Sequence, residues 1–171
     1  MKDYDVGEHN KTVYAHFGLA IFLAQCLEHE LVNSLVYLDL IPSKAHLVRT
    51  KDEWAAEFDA FMDRHFEHTL GRMISDLGRV TAVPTELEAN LSKALRTRNW
   101  LAHDFFRERA RDFMTETGRN RMIVDLETAQ SLFREADQML HAAFKPVREK
   151  YGFTDERLAQ AYEQMQAELQ D

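Results

Sequence analysis

The sequence predicts an all-α fold, an up-and-down bundle of four main helices with a short extra helix at the C-terminal end. Three observations carry that expectation. Breakers are scarce, with 6 Gly and 3 Pro in 171 residues, which favours long helices over a sheet and its many tight turns. Apolar residues recur at spacings of three and four, the period that gathers them on one helix face. Capping residues stand near the ends of those runs. The length suits one domain, residues 1–171, and no repeat, low-complexity tract or linker divides it.

The first helix is read from about Lys11 to Leu40. Phe17, Ala20, Ala24, Leu27, Leu31, Ser34 and Leu38 share its apolar face, and Pro42 is expected to end it. A second row, Leu19, Leu23 and Cys26, makes this helix apolar on two sides. Either another element of the fold covers that row or a second copy of the chain does. The second helix starts at Thr50, which has capping-box spacing with Glu53. Its face runs through Trp54, Phe58, Met62, Phe66, Met73 and Leu77 to about Val80. Pro84 suits the first turn of the third helix, expected to reach about Met114. Gly118 reads as a break, followed by a loop with Arg119 and Arg121. Asp125 reads as the N-cap of the fourth helix. There Leu126, Ala129, Phe133, Ala136, Leu140, Ala143 and Val147 keep a strict rhythm. Gly152 suits the position just past that helix, and Thr154 caps the short, polar last one.

Composition excludes several functions. A formal net charge of −8 argues against broad, non-specific nucleic-acid binding. The charge is uneven, however: residues 93–121 hold eight basic side chains against four acidic ones, a local +4 on an otherwise acidic chain. That segment is either a solvated face of Glu/Arg pairs or a small anion site. Cys26 is the only cysteine, so no internal disulfide and no cysteine-based zinc site can form. MKDYDVGEHNK has no apolar core of a secretory signal, and FGLAIFLAQCL is soon interrupted by Glu28, His29 and Glu30. The expectation is a cytoplasmic protein without membrane association. His65 and His68, near Asp63 and Glu67, can share a face. The chain lacks the repeated Glu plus Glu-x-x-His pattern of di-iron bundles. They are read as a solvated polar face, with no metal and no cofactor expected. No Gly-rich phosphate loop, G-x-S-x-G or zinc-finger spacing occurs.

The anomaly is RTRNWLAHDFF, residues 96–106. On a helical wheel at about 100° per residue, Leu87, Leu91, Ala94, Ala102 and Phe105 fall within about 40° of Arg98. Arg98 therefore lies in the middle of an apolar stripe. A guanidinium keeps its charge at any useful pH, and burying it unpaired is very costly. It needs an anionic partner, a cleft or an escape to solvent. Asn99 and His103 share a neighbouring face. Two readings stand on spacing alone. In one, Arg98 pairs with a buried carboxylate such as Glu28 or Glu30, and His103 is a hydrogen-bonded core histidine. In the other, an anion of phosphate size lies between Arg98 and His103, whose Cβ atoms are roughly 10 Å apart on an ideal helix. Trp100 points away from Arg98, which suits packing or an interface better than base stacking.

The string RNWLAH followed by DFF resembles the R-x4-6-H signature of the HEPN superfamily of small helical domains. Arg98 and His103 match its two defining positions, and Asn99 matches the favoured polar position after the arginine. Many HEPN domains are metal-independent endoribonucleases of toxin–antitoxin and phage-defence systems, working as dimers whose two motifs meet in one cleft. The resemblance implies that Arg98 binds the scissile phosphate, His103 acts as general acid or base, and Asn99 orients one or the other. It implies an RNA substrate, a homodimer and, in some systems, an antitoxin protein partner. Other HEPN domains are non-catalytic modules for dimerisation or for binding nucleotides and proteins. Where nucleotidyltransferase-controlled members carry a modifiable tyrosine two places after the histidine, this chain has Phe105, which argues against that form of control.

Overall fold

A computed structural model describes residues 5–169. Among them there is no strand, and seven helices form an all-α bundle. Helix α1, Val6–Lys44, is the spine. It is long and apolar enough to cross a membrane by length and composition alone. In the bundle its row Val13, Ala20, Ala24, Leu27, Leu31 and Leu35 is buried as the central strip of the core. Helices α2 (Lys51–Phe66) and α3 (Leu70–Val80) form the second limb, and α4 (Thr85–His103) the third. A single turn, α5 (Phe105–Glu108), and a 3-10 turn, Asp112–Met114, lead into α6 (Glu116–Lys150). Helix α7, Asp155–Glu168, closes the chain with no buried residue. The main packing is α6 along α1, with α4 on α6 and α3 on α1. Phe133, Leu126, Ala136 and Leu140 of α6 are fully buried, and each Leu or Phe so placed contributes about 1.5–3 kcal/mol.

Five expected boundaries move. Helix α1 starts five residues early, because Asp5 caps it by accepting from the Gly7 and Glu8 N–H groups. It also runs through Pro42. A π-turn at Val36–Leu40, in which the Ile41 N–H reaches Val36 O, shifts the hydrogen-bond register just before the proline. Proline has no N–H to give, and a widened turn accommodates it without ending the helix. The second helix is two: Glu67–Thr69 interrupt it, and Thr69 caps α3 by accepting from the Arg72 N–H. Thr50 caps α2 as expected, accepting from the Glu53 N–H at 3.1 Å. Helix α4 stops at His103 rather than Met114. The bend at Asp104 lets two consecutive aromatics, Phe105 and Phe106, both reach Phe17 of α1, at 5.8 and 4.9 Å between ring centroids.

The fifth correction is the largest. Gly118 does not break the chain, and Asp125 caps nothing. Thr115 is the N-cap, its Oγ1 accepting from the Gly118 N–H at 3.0 Å, and Gly118 lies in the first turn of α6. Arg119 is buried rather than looped out, and its guanidinium donates to Phe113 O at 2.7 Å.

The end of α6 matches expectation: Gly152 adopts φ +82° and its N–H donates to Glu149 O at 2.8 Å. Thr154 caps α7. What docks α7 is Asp155, which accepts from Lys145 and from the buried Arg148 of α6. Those two hydrogen bonds hold the Asp155 carboxyl down to about 2. A carboxyl depressed in the fold stabilises it fully above its ordinary value and loses that contribution as pH falls through the depressed one. Helix α7 is therefore expected to undock between pH ~4 and ~2, visible as faster hydrogen exchange across residues 155–168. Asp155→Asn should show the undocked exchange already at pH 7; unchanged exchange in that variant would disprove the tether.

Candidate active site at the end of α4

Helix α4 places the motif on its last two turns. Leu91, Ala94 and Leu101 hold one face in the core, and that packing fixes the direction in which the polar residues between them project. Arg98 is half-buried. Its Nε lies 3.3 Å from Glu28 Oε1 of α1, with side-chain exposures of 33% and 17%. The partner is therefore one of the two carboxylates that spacing allowed, and it comes from the spine helix. The two terminal nitrogens of Arg98 have no partner among the described residues, so the pair anchors the guanidinium without using it up.

Asn99 and His103 are exposed, and their side chains have no hydrogen-bond partner among the described residues. His103 is thus not a satisfied core histidine. It is the last residue of α4, and the bend at Asp104 leaves its imidazole at a helix end rather than along a packed face. Ala102, expected on the stripe, is exposed as well.

Two carboxylates from outside residues 93–121, Glu28 on Arg98 and Asp125 on Arg109, halve the local +4. Arg107 pairs with Asp104, Arg121 with Asp112, and Arg109 with Asp125 at 2.7 Å. The Arg121 hydrogen bond, more than any other cause, holds the Asp112 carboxyl below the ordinary range. Among the described residues, acid–arginine pairs hold four of the eight basic side chains of this segment, Arg98, Arg107, Arg109 and Arg121. Trp100 packs as expected: it meets Phe105 edge-on at 5.0 Å and donates from Nε1 to Glu108 at 2.8 Å. A cavity of about 380 Å³ beside it is lined by Lys93, Thr97, Asp125 and Glu135, a mixed set that makes no anion site. Phe105 is fully buried, so that position offers neither a hydroxyl nor access.

An apolar row adjoins the motif. Phe106, three residues past His103, meets Tyr14 of α1 at 6.0 Å between ring centroids. Tyr14, Leu19 and Phe22 are exposed along that face of α1. Gly18 lies among them with no heavy atom within 4 Å of where a Cβ would stand. Of the second apolar row, Leu19 is exposed while Leu23 and Cys26 are half-buried.

Two groupings were not legible as such. His65 is buried, which corrects its reading as part of a solvated face, and its cluster with His68 is completed by Asp76 of α3. Asp76 reaches it only because the chain turns at Glu67–Thr69. The second grouping is Glu30 of α1, whose carboxyl is pushed up by burial and lies 3.5 Å from His141 Nδ1. Asp137 is likewise pushed up by burial, and both carboxylates border a cavity of about 400 Å³ with Phe22, Cys26 and His29.

Fold and site together define a helical bundle that carries an anchored arginine and an exposed Asn/His pair at the end of one helix. In comparisons with protein-family models, curated proteins and solved structures, nothing matches the chain.

Proposed function

We propose that the protein is a HEPN-like, metal-independent endoribonuclease acting as a homodimer in the cytoplasm, of the kind found in toxin–antitoxin or phage-defence systems. One observation carries this reading: Arg98 is anchored through Nε by Glu28 while its terminal nitrogens, Asn99 and His103 remain available at one helix end. Arg98 then grips the scissile phosphate and stabilises the charge that builds on it. His103 moves a proton at the attacking 2′-oxygen or the leaving 5′-oxygen, and Asn99 orients the phosphate. Two copies supply two histidines, so acid and base are divided between them. Attack by the 2′-oxygen forms a bond to phosphorus and expels the 5′-oxygen, leaving a cyclic phosphate and sparing DNA.

The apolar row of α1 supports the dimer. A glycine inside a helix costs about 1 kcal/mol relative to alanine, and nothing in the protomer's own packing requires Gly18. A second helix crossing between Tyr14 and Phe22 would come closer at a glycine than at any residue with a side chain. The alternative, a non-catalytic module for dimerisation or for binding a nucleotide or protein such as an antitoxin, is favoured by the Arg98–Glu28 ion pair itself, which gives Arg98 a structural task.

The test is incubation of the purified protein with transfer and messenger RNA in chelator, with DNA as control. Wild type is expected to leave 2′,3′-cyclic phosphate ends, and His103→Ala to lose about 10²–10⁴-fold in rate with an unchanged melting temperature. Phe22→Glu is expected to give monomers that do not cut. No RNA cleavage by wild type, or equal cleavage by His103→Ala, defeats the proposal.

A further inference from the structure

The corner between α2 and α3 holds a second constellation, distinct from the motif of α4. One ring nitrogen of His65, one of His68 and one carboxylate oxygen of Asp76 lie within 4.8 Å of one another. Each member is held in place. The His65 ring is buried, lies tilted against Phe61 at 4.1 Å between centroids, and its Nδ1–H donates to Phe61 O at 2.8 Å. That bond leaves Nε2 with the lone pair. Metal-ligating histidines are oriented in this way, one ring nitrogen on a backbone carbonyl and the other on the ion. His68 sits in the three-residue break, its ring 5.4 Å from that of His65, with Nδ1 3.0 Å from Asp76 Oδ2. Asp76 is braced from the other side: Arg72 Nε and Arg79 lie 3.0 and 3.4 Å from Oδ1, leaving Oδ2 to His68.

We propose that His65, His68 and Asp76 bind Zn²⁺. Two imidazoles and a carboxylate suit this ion, and a fourth position is left for water. Calcium and magnesium, which take oxygen ligands, are disfavoured by two nitrogen donors among three. Binding replaces the hydrogen bond between His68 and Asp76 with the metal: where His68 Nδ1 gives its lone pair to the ion, its proton moves to Nε2 through solvent. The ion ties the last turn of α2 to α3 across Glu67–Thr69 and stiffens the joint of the second limb. Alternatively, the hydrogen bond between His68 and Asp76 is the whole purpose of the cluster, and the experiment decides between the two.

Chelator-stripped full-length protein is titrated with zinc chloride by calorimetry and native mass spectrometry. The expected result is one Zn²⁺ per chain, a higher melting temperature with zinc and a tetrahedral visible spectrum with Co²⁺. Removing an outer partner of a metal site costs about 10–100-fold in affinity, so His68→Asn and Asp76→Asn, which remove ligands, should each cost at least about 100-fold. His46→Ala, at an exposed loop histidine, should cost nothing. Should the buried His65 not tolerate alanine, His65→Gln with a far-ultraviolet spectrum checks the same ligand in a folded protein. Failure of the wild type to bind zinc more tightly than His68→Asn overturns the proposal. RNA cleavage in chelator is a separate readout, so the ribonuclease and zinc proposals fail independently.

Discussion

Gly118→Ala is expected to lower stability by roughly 3 kcal/mol, at the upper end of what overpacking costs. A Cβ on Gly118 would stand 2.0 Å from Asp112 O and 2.5 Å from Asp112 Cα. These are backbone atoms of the 3-10 turn, held by the Thr115 N–H bond to Asp112 O at 3.1 Å and by the Arg119 bond to Phe113 O. No rotamer change can relieve the clash. Either the turn moves and Arg119 loses its acceptor, or the first turn of α6 unwinds and Thr115 loses its capping bond. For a chain of this size 3 kcal/mol is a fall of roughly 6–12 °C in melting temperature. Gly78→Ala is the contrasting case. Its Cβ would meet nothing within 4 Å, so the substitution should raise stability by about 0.5–1 kcal/mol through helix propensity. Urea denaturation of both variants checks the pair. Equal midpoints would mean that the chain does not cross α6 at Gly118.

Arg98→Ala is expected to lose activity and stability together, and the separation of the two losses identifies its task. Removing a phosphate-gripping donor should lower the RNA cleavage rate by about 10²–10³-fold. The same change leaves Glu28, only 17% exposed, without its cation. An exposed pair is worth about 0–1 kcal/mol, and breaking a buried one costs about 3–5 kcal/mol. A half-buried pair falls between, at roughly 2 kcal/mol. Glu28→Gln removes the anchor but keeps the guanidinium, so it should lose less activity than Arg98→Ala. The double variant Glu28→Gln/Arg98→Ala leaves no orphaned charge and should recover much of the lost stability. If it also recovers cleavage, Arg98 serves the fold and the non-catalytic reading stands. If it folds well and still does not cut, Arg98 serves the phosphate.

Much of the architecture was legible because it follows from local chemistry. Thr50, Thr154 and Gly152 act where hydroxyl capping and a positive φ place them. The rhythm of Leu126, Phe133 and Leu140 marked the buried face of α6. The misplaced boundaries share one cause. Gly118 looks like a breaker when propensity is read alone, yet it is a helix residue whose missing side chain admits the Asp112 turn. Pro42 looks like a stop, yet the π-turn before it keeps α1 going. The site divided in the same way. That Arg98 needed an anionic partner, a cleft or an escape to solvent followed from its place on the stripe. That the carboxylate is Glu28 rather than Glu30 depended on how α1 crosses α4, and Glu30 instead faces His141.

By itself the sequence determined the helical class, the caps at Thr50, Gly152 and Thr154, and the central anomaly, because each rests on interactions within a turn or two of the chain. Only the tertiary structure decided that His103 ends its helix in the open, that Gly118 begins one, and that Asp76 comes to His65 and His68. Those outcomes depend on where distant segments pass one another, and the periodicity of a single helix carries no information about its neighbours.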